Sequence, residues 1–125
     1  MKTAVTTQGS PRPAGPYSQG IVAGGFLFTA GVGPQDPQTG AKAETVADQT
    51  RQVLRSISAI LASAGASLDD VVKVTAHLQD LTSDFPQFNQ AYSEFFNEPY
   101  PVRTTVGSTL SDILVEIDVV AKLPD

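Results

Sequence analysis

Apolar and polar positions alternate along this chain in two rhythms. The first has a period near 3.6. In AETVADQTRQVLRSISAILASAG, the residues Val46, Thr50, Val53, Leu54, Ile57, Ile60, Leu61 and Ala64 recur at three- and four-residue steps. That spacing makes one apolar stripe and predicts an amphipathic helix. Glu44 and Asp48 suit its positive end, and Gly65 suits the position just past its C-terminus. A second helix is predicted in SDFPQFNQAYSEFFN, capped by Ser83 or Asp84, with Pro86 in its first turn. Phe85, Phe88, Tyr92, Phe95 and Phe96 form its apolar face.

The second rhythm has a period of two. YSQGIVAGGFLFTAGV carries two apolar runs around Gly24-Gly25, a hairpin signal that predicts strands over 18–23 and 26–32. In VVKVTAHL, Val72, Val74, Ala76 and Leu78 alternate with Val71, Lys73, Thr75 and His77, as in a strand with two distinct faces. YPVRTTVG predicts a strand over 101–108, and ILVEIDVVAK one over 113–122, with a weaker strand near 3–7. PRPAGP is an extended loop and GPQDPQTGA is turn chemistry throughout. The order β-β-β-α-β-α-β-β predicts an α+β fold, in which a single mixed six-stranded sheet carries both helices on one face. By length, residues 1–125 form one domain. The uncovered face is expected to hold Leu114, Val120, Thr105, Arg103 and Glu116. An apolar sheet face left open predicts a partner, and a second copy of the chain is the economical one.

Composition narrows the chemistry. There is no cysteine and one histidine, His77. Thiolate nucleophiles, disulfides and multi-histidine metal sites are therefore excluded. The formal net charge is −5 with no basic run, which disfavours nucleic-acid binding. No segment approaches about 18 consecutive apolar residues, and the N-terminus lacks a long apolar run. The expectation is a cytoplasmic protein with no membrane partner.

Arg103 is the candidate that most needs explaining, because a guanidinium in a strand needs a partner or a purpose. If TLSD at 109–112 closes a hairpin, Thr105 falls opposite Glu116 and Arg103 opposite Asp118. One reading is a cross-strand ion pair of small energetic weight; the other is an anion-binding site. Tyr17 follows a stiff loop and either presents its hydroxyl to a cleft or packs on the core. Gly31 either lets a ligand approach the backbone or serves a turn. Asn89 reads as a surface residue, and His77 as structural.

These residues sit in blocks that carry a resemblance: GPYSQGIVAGGFLFTAG, DPQTG, QTRQVLRSISAILASAGASLDDVVKVTAHLQDL, DF…FNQAYSEFF and PVRTTV…VEIDVVA. In this order, over nearly the whole chain, they resemble the RidA/YjgF family of enamine/imine deaminases. The resemblance implies a homotrimer with a central β-barrel and sites in the clefts between subunits. It implies hydrolysis of 2-imino acids, such as 2-iminopropanoate and 2-iminobutanoate, to 2-keto acids and ammonia, with no cofactor and no metal. It places Arg103 on the substrate carboxylate and Glu116 on the hydrolytic water. Tyr17, Ala30, Gly31, Asn89 and Thr105 match other cleft positions.

The chain departs from the family pattern in three places. Ala30 and Val32 stand where serine and glutamine are common, Thr105 stands where cysteine is common, and the connection before the last strand is about two residues shorter. Two further readings compete with a deaminase. One is a non-catalytic, small-carboxylate-binding trimer with a regulatory or chaperone-like role. The other is a ribonuclease, which the charge and the single histidine disfavour.

Overall fold

The computed structural model describes residues 1–125. Its strands are β1 (Thr3–Val5), β2 (Gly20–Ala23), β3 (Phe26–Thr29), β4 (Val71–Leu78), β5 (Val102–Gly107) and β6 (Val115–Lys122). Its helices are α1 (Val46–Ser63) and α2 (Leu81–Ser93), and a single 3₁₀ turn at Leu68–Asp70 leads into β4. The six strands form one mixed sheet in the order β1-β2-β3-β6-β4-β5, with only β4 and β5 parallel. Both helices lie on one face, as the sequence predicts.

The local signals behave as their chemistry requires. Gly24 and Gly25 take φ of 60° and 81° in the β2–β3 hairpin, a pair that side-chain-free residues adopt at no steric cost. Gly65, at φ 78°, lies just past the C-cap of α1. Thr45 caps the start of α1 by accepting the Asp48 N–H at 3.1 Å. The predicted stripe of α1 is the core: Val53, Leu54, Ile57, Ile60 and Leu61 are fully buried. They pack with Leu27, Val74, Ala76, Leu78, Val115, Ile117, Val119 and Phe88.

Three expectations are corrected. The first is the start of α2, which Asp80 caps by accepting the Ser83 N–H, so Ser83, Asp84 and Pro86 all lie inside the helix. Pro86 is past the first turn, yet α2 continues through it. The second is the phase of β4. A bulge opposite β6 lies between Val71 and Lys73, and the extra residue shifts the alternation. Val71 is buried and Val72 exposed, the reverse of the predicted set.

The third correction concerns the functional strands. β5 does not form a hairpin with β6; β4 lies between them, antiparallel to β6 and parallel to β5. The connection from β4 through α2 to β5 is a strand–helix–strand crossover, which joins parallel neighbours. Arg103 therefore pairs with Val74 and Thr105 with Ala76, both buried beneath the helices. Arg103 and Thr105 face α2, not the open side. The open face carries Val102, Thr104, Lys73, Thr75, His77, Glu116, Asp118, Val120 and Phe28. Its exposed apolar residues include Val102, 66% accessible, and Phe28, 45% accessible.

Candidate functional site

Glu116 is held beside Gly31 by the way β3 ends. After Thr29 the chain leaves the sheet, and the Ala30 N–H donates to the Gln19 carbonyl at 3.0 Å. Val32 then rejoins β6 through two bonds with Ile117, at 2.8 and 3.2 Å. Between these anchors Gly31 lies against β6. A Cβ at Gly31 would collide with the Glu116 carboxylate, whose Cδ would be 2.9 Å away. The missing side chain is what makes room for the carboxylate. Together they line a cavity of about 500 Å³ that also includes Tyr17, Ala30, Val32 and Ser111.

Tyr17 is half exposed, and its hydroxyl accepts the Ala14 N–H at 3.0 Å. That bond occupies a lone pair and leaves the phenol proton free to donate. The loop beneath it is fixed by Gln19, a residue the sequence reading overlooked. Its amide donates to the carbonyls of Thr7, Ser10 and Pro11 at 3.1, 3.1 and 3.0 Å, and its carbonyl accepts the Thr7 N–H at 2.7 Å. A signal for this existed. Pro11, Pro13 and Pro16 remove backbone donors from the loop, so its carbonyls need a side-chain amide.

Arg103 belongs to a second cluster. Its guanidinium carbon lies 4.6 Å from the Tyr92 ring centroid, 5.4 Å from Phe88 and 5.8 Å from Phe85. These rings recur at three- and four-residue steps along α2 and form one wall. No carboxylate of the chain pairs with Arg103; the ion pairs are Lys42–Asp112, Arg51–Asp48, Arg51–Glu94 and Lys122–Asp125. The cross-strand ion pair read from spacing is therefore not formed. Thr105 shares this face, and Asn89, exposed on α2, is four residues from Phe85 and three from Tyr92, which puts it beside Arg103's wall.

The two clusters do not meet within the chain. Two strand spacings separate β5 from β6, about 10 Å, and Arg103 and Glu116 point to opposite faces. Tyr17, Ala30, Gly31 and Glu116 form one cluster; Arg103, Thr105 and Asn89 form the other. His77 faces Glu116 across the ladder and shares a 2.7 Å hydrogen bond with Ser108. Burial pushes the neighbouring Asp118 carboxyl above its ordinary range, while His77 and Lys73 act in the opposite direction. No group of three or more His, Asp or Glu side chains suited to a metal ion is assembled.

The segment before β6 is a pinned loop rather than a hairpin turn. The Gln79 side chain accepts the Leu110 N–H at 2.6 Å, and Gln49 accepts the Leu114 N–H at 2.9 Å. Lys42 binds both the carbonyl and the carboxylate of Asp112 at 2.7 Å, and Asp112 sits at φ 61°. The length of this loop therefore does not set the register of Arg103 against Glu116. It shapes the cavity instead, through Ser111 and Ile113.

A family model described as Endoribonuclease L-PSP matches residues 7–123. A RutC family protein of Pyrococcus horikoshii is 48% identical over 97% of this chain and 98% of its own. A Salmonella typhimurium protein named 2-iminobutanoate/2-iminopropanoate deaminase is 38% identical over 97% of this chain and 98% of its own. Among solved structures, Escherichia coli TdcF with bound serine superimposes with a TM-score of 0.91 at 37% identity, covering 98% of this chain and 99% of that one. RidA from a Psychrobacter bacterium superimposes with a TM-score of 0.91 at 33% identity, over 97% and 99%. On sequence and on fold alike, the chain belongs to the Endoribonuclease L-PSP family, the RidA/YjgF family.

Proposed function

We propose that this protein hydrolyses 2-imino acids of the 2-iminopropanoate and 2-iminobutanoate type to 2-keto acids and ammonia. The observation that carries the reading is Arg103: a permanent cation stacked on three rings, with no carboxylate of its own chain to satisfy it. A planar guanidinium matches a carboxylate with two parallel N–H donors. The kinship with a Salmonella typhimurium deaminase supports the same substrate class.

In this reading the two half-sites join across subunits of a homotrimer built through the open sheet face. Arg103 of one subunit grips the substrate carboxylate, with Asn89 and Thr105 beside it. Glu116 of the next holds water over C2 of the imine and accepts its proton as the C–O bond forms. The same carboxyl returns that proton to the nitrogen and then carries the proton of the new hydroxyl to it as well; the C–N bond breaks, the carbonyl forms and ammonia leaves. Tyr17 donates a hydrogen bond, the Gly31 backbone approaches the ligand closely, and Ala30 lines the pocket. The chain's own side chains supply the acid, the base and the anion clamp.

The test follows 2-iminobutanoate made by an amino-acid oxidase. Wild-type protein is expected to speed its decay, and Arg103→Ala to abolish the effect. Unchanged decay with wild-type protein overturns the reading. A second reading, carboxylate binding without turnover, draws on Ala30 and Val32, which remove the hydroxyl and amide common at those positions. It predicts 2-keto acid binding with no imine hydrolysis. A ribonuclease reading meets a chain of net charge −5, whose field repels a polyanion.

A further inference from the structure

Arg103 poses a positioning problem. A long, flexible side chain on an edge strand, with no ion pair, samples many rotamers unless something restrains it. Here the restraint is aromatic. Tyr92 is the nearest ring, at 4.6 Å, within the range where a cation is held over a π face. The Tyr92 ring is itself held on both sides. Phe96 stacks on it with centroids 4.5 Å apart and 26° between planes, and Phe88 lies tilted at 5.7 Å. Phe85 continues the wall at 6.4 Å from Phe88.

Tyr92 also carries an anomaly. It is 6% exposed, and its hydroxyl is the one buried side-chain polar atom in the chain without a hydrogen-bond partner. Buried polar groups are ordinarily paired, so an orphan of this kind calls for a reason. Burial pushes the phenol above its ordinary range, while Arg103 pulls it down by its charge and by its closeness to the hydroxyl; the guanidinium makes no well-aligned hydrogen bond there, and the group beside the cation is a neutral phenol. A phenolate would neutralise Arg103 and compete with a ligand carboxylate; a neutral ring stacks on the cation without consuming its charge.

We propose that Tyr92 is a positioning residue for Arg103: its packed ring fixes the guanidinium plane and turns the N–H fork away from α2 toward the ligand. The ligand in this statement rests on the proposed deaminase reading; the restraint on Arg103 does not. The ring, rather than the hydroxyl, does the holding. Tyr92→Phe keeps the stack and removes an unpartnered polar atom, whereas Tyr92→Leu keeps apolar volume and removes the π face.

The experiment combines two readouts on the whole protein. ¹⁵N relaxation of the Arg103 Nε–Hε group is expected to show restricted motion in wild type and Tyr92→Phe, and free motion in Tyr92→Leu. Titration with 2-oxobutanoate is expected to give wild-type affinity for Tyr92→Phe and about tenfold weaker affinity for Tyr92→Leu. In turnover, Tyr92→Leu should raise KM more than it lowers kcat. Equal order at Arg103 in wild type and Tyr92→Leu overturns the proposal. If Tyr92→Leu fails to fold, the wild-type spectrum still decides: Arg103 δ protons should be shifted upfield by the rings, and random-coil shifts there overturn it. Wild-type protein that leaves 2-iminobutanoate decay unchanged but shows an ordered, ring-shifted Arg103 overturns the deaminase reading and supports the restraint.

Discussion

Gly31→Ala separates the chemistry of this site from its stability. The backbone at Gly31 is not left-handed, so alanine brings no conformational strain. The three atoms nearest the methyl all belong to Glu116: its carboxylate oxygen, which it would collide with, Cδ at 2.9 Å and Cγ at 3.2 Å. Glu116 is half-buried and its carboxylate is the flexible end of the side chain, so it can swing aside. Relief to ordinary contact needs a shift of about 0.5–1 Å, and a displacement of this size at a reacting group costs about 10²-fold in rate. That corresponds to roughly 2.7 kcal/mol of barrier. The stability cost of a change absorbed by a mobile side chain is about 0.5 kcal/mol. Urea denaturation and the 2-iminobutanoate assay, run on the same preparation, measure both. Gly31→Ala with wild-type turnover refutes the placement of Glu116 as the water-holding group. A stability loss above about 3 kcal/mol means the glycine serves the fold instead.

Gln19→Ala leaves three carbonyls and one N–H of the Pro-rich loop without their partner; it should cost about 2–4 kcal/mol in urea denaturation, and a change under about 0.5 kcal/mol contradicts the role given to Gln19. Arg51 bridges the helices by pairing with Asp48 and with Glu94, whose carboxyl it holds below its ordinary range. A lowered carboxylate stabilises the fold above its unfolded pKa and loses that contribution as pH falls through the folded value. Glu94→Gln should therefore lower Tm at pH 7, and the difference should fade as pH falls below about 4 and shrink in salt. Asp118 has the opposite sign: burial raises it, so its favourable contribution is present at low pH and lost as pH rises. Asp118→Asn should raise Tm at neutral pH, with the gain fading as pH falls through the raised pKa and gone below about pH 4; a loss of Tm at pH 7 contradicts this.

Much of this fold is legible in residue patterns because the signals are local. The stripe from Val46 to Ala64, the Gly24-Gly25 turn and Gly65 each depend on neighbours a few residues away. What sequence alone does not show is which strand a strand chooses. The run Val102–Gly107 reads equally well as the first arm of a hairpin and as the end of a crossover; only the pairing with Val74 and Ala76 puts Arg103 against α2. One bulged residue at Val72 reverses the face of Val71, and alternation cannot anticipate it. Arg103, Glu116, Tyr17 and Gly31 stand out from their residue chemistry and spacing, and the family resemblance supplies their roles and adds Ala30 and Thr105. Their division into two clusters comes from three dimensions, because Val32 pairing with Ile117 is what brings Gly31 to Glu116.

The division itself is the central claim, and subunit mixing tests it directly. Arg103→Ala and Glu116→Ala proteins are each expected to be inactive toward 2-iminobutanoate. Unfolded together in equal amounts and refolded, they should assemble sites in which one subunit supplies the arginine and its neighbour the glutamate. With random assembly, that restores roughly a quarter of wild-type activity. Activity that stays at the level of the separate variants, while the mixture shows mixed oligomers by native mass spectrometry, contradicts a site shared between subunits.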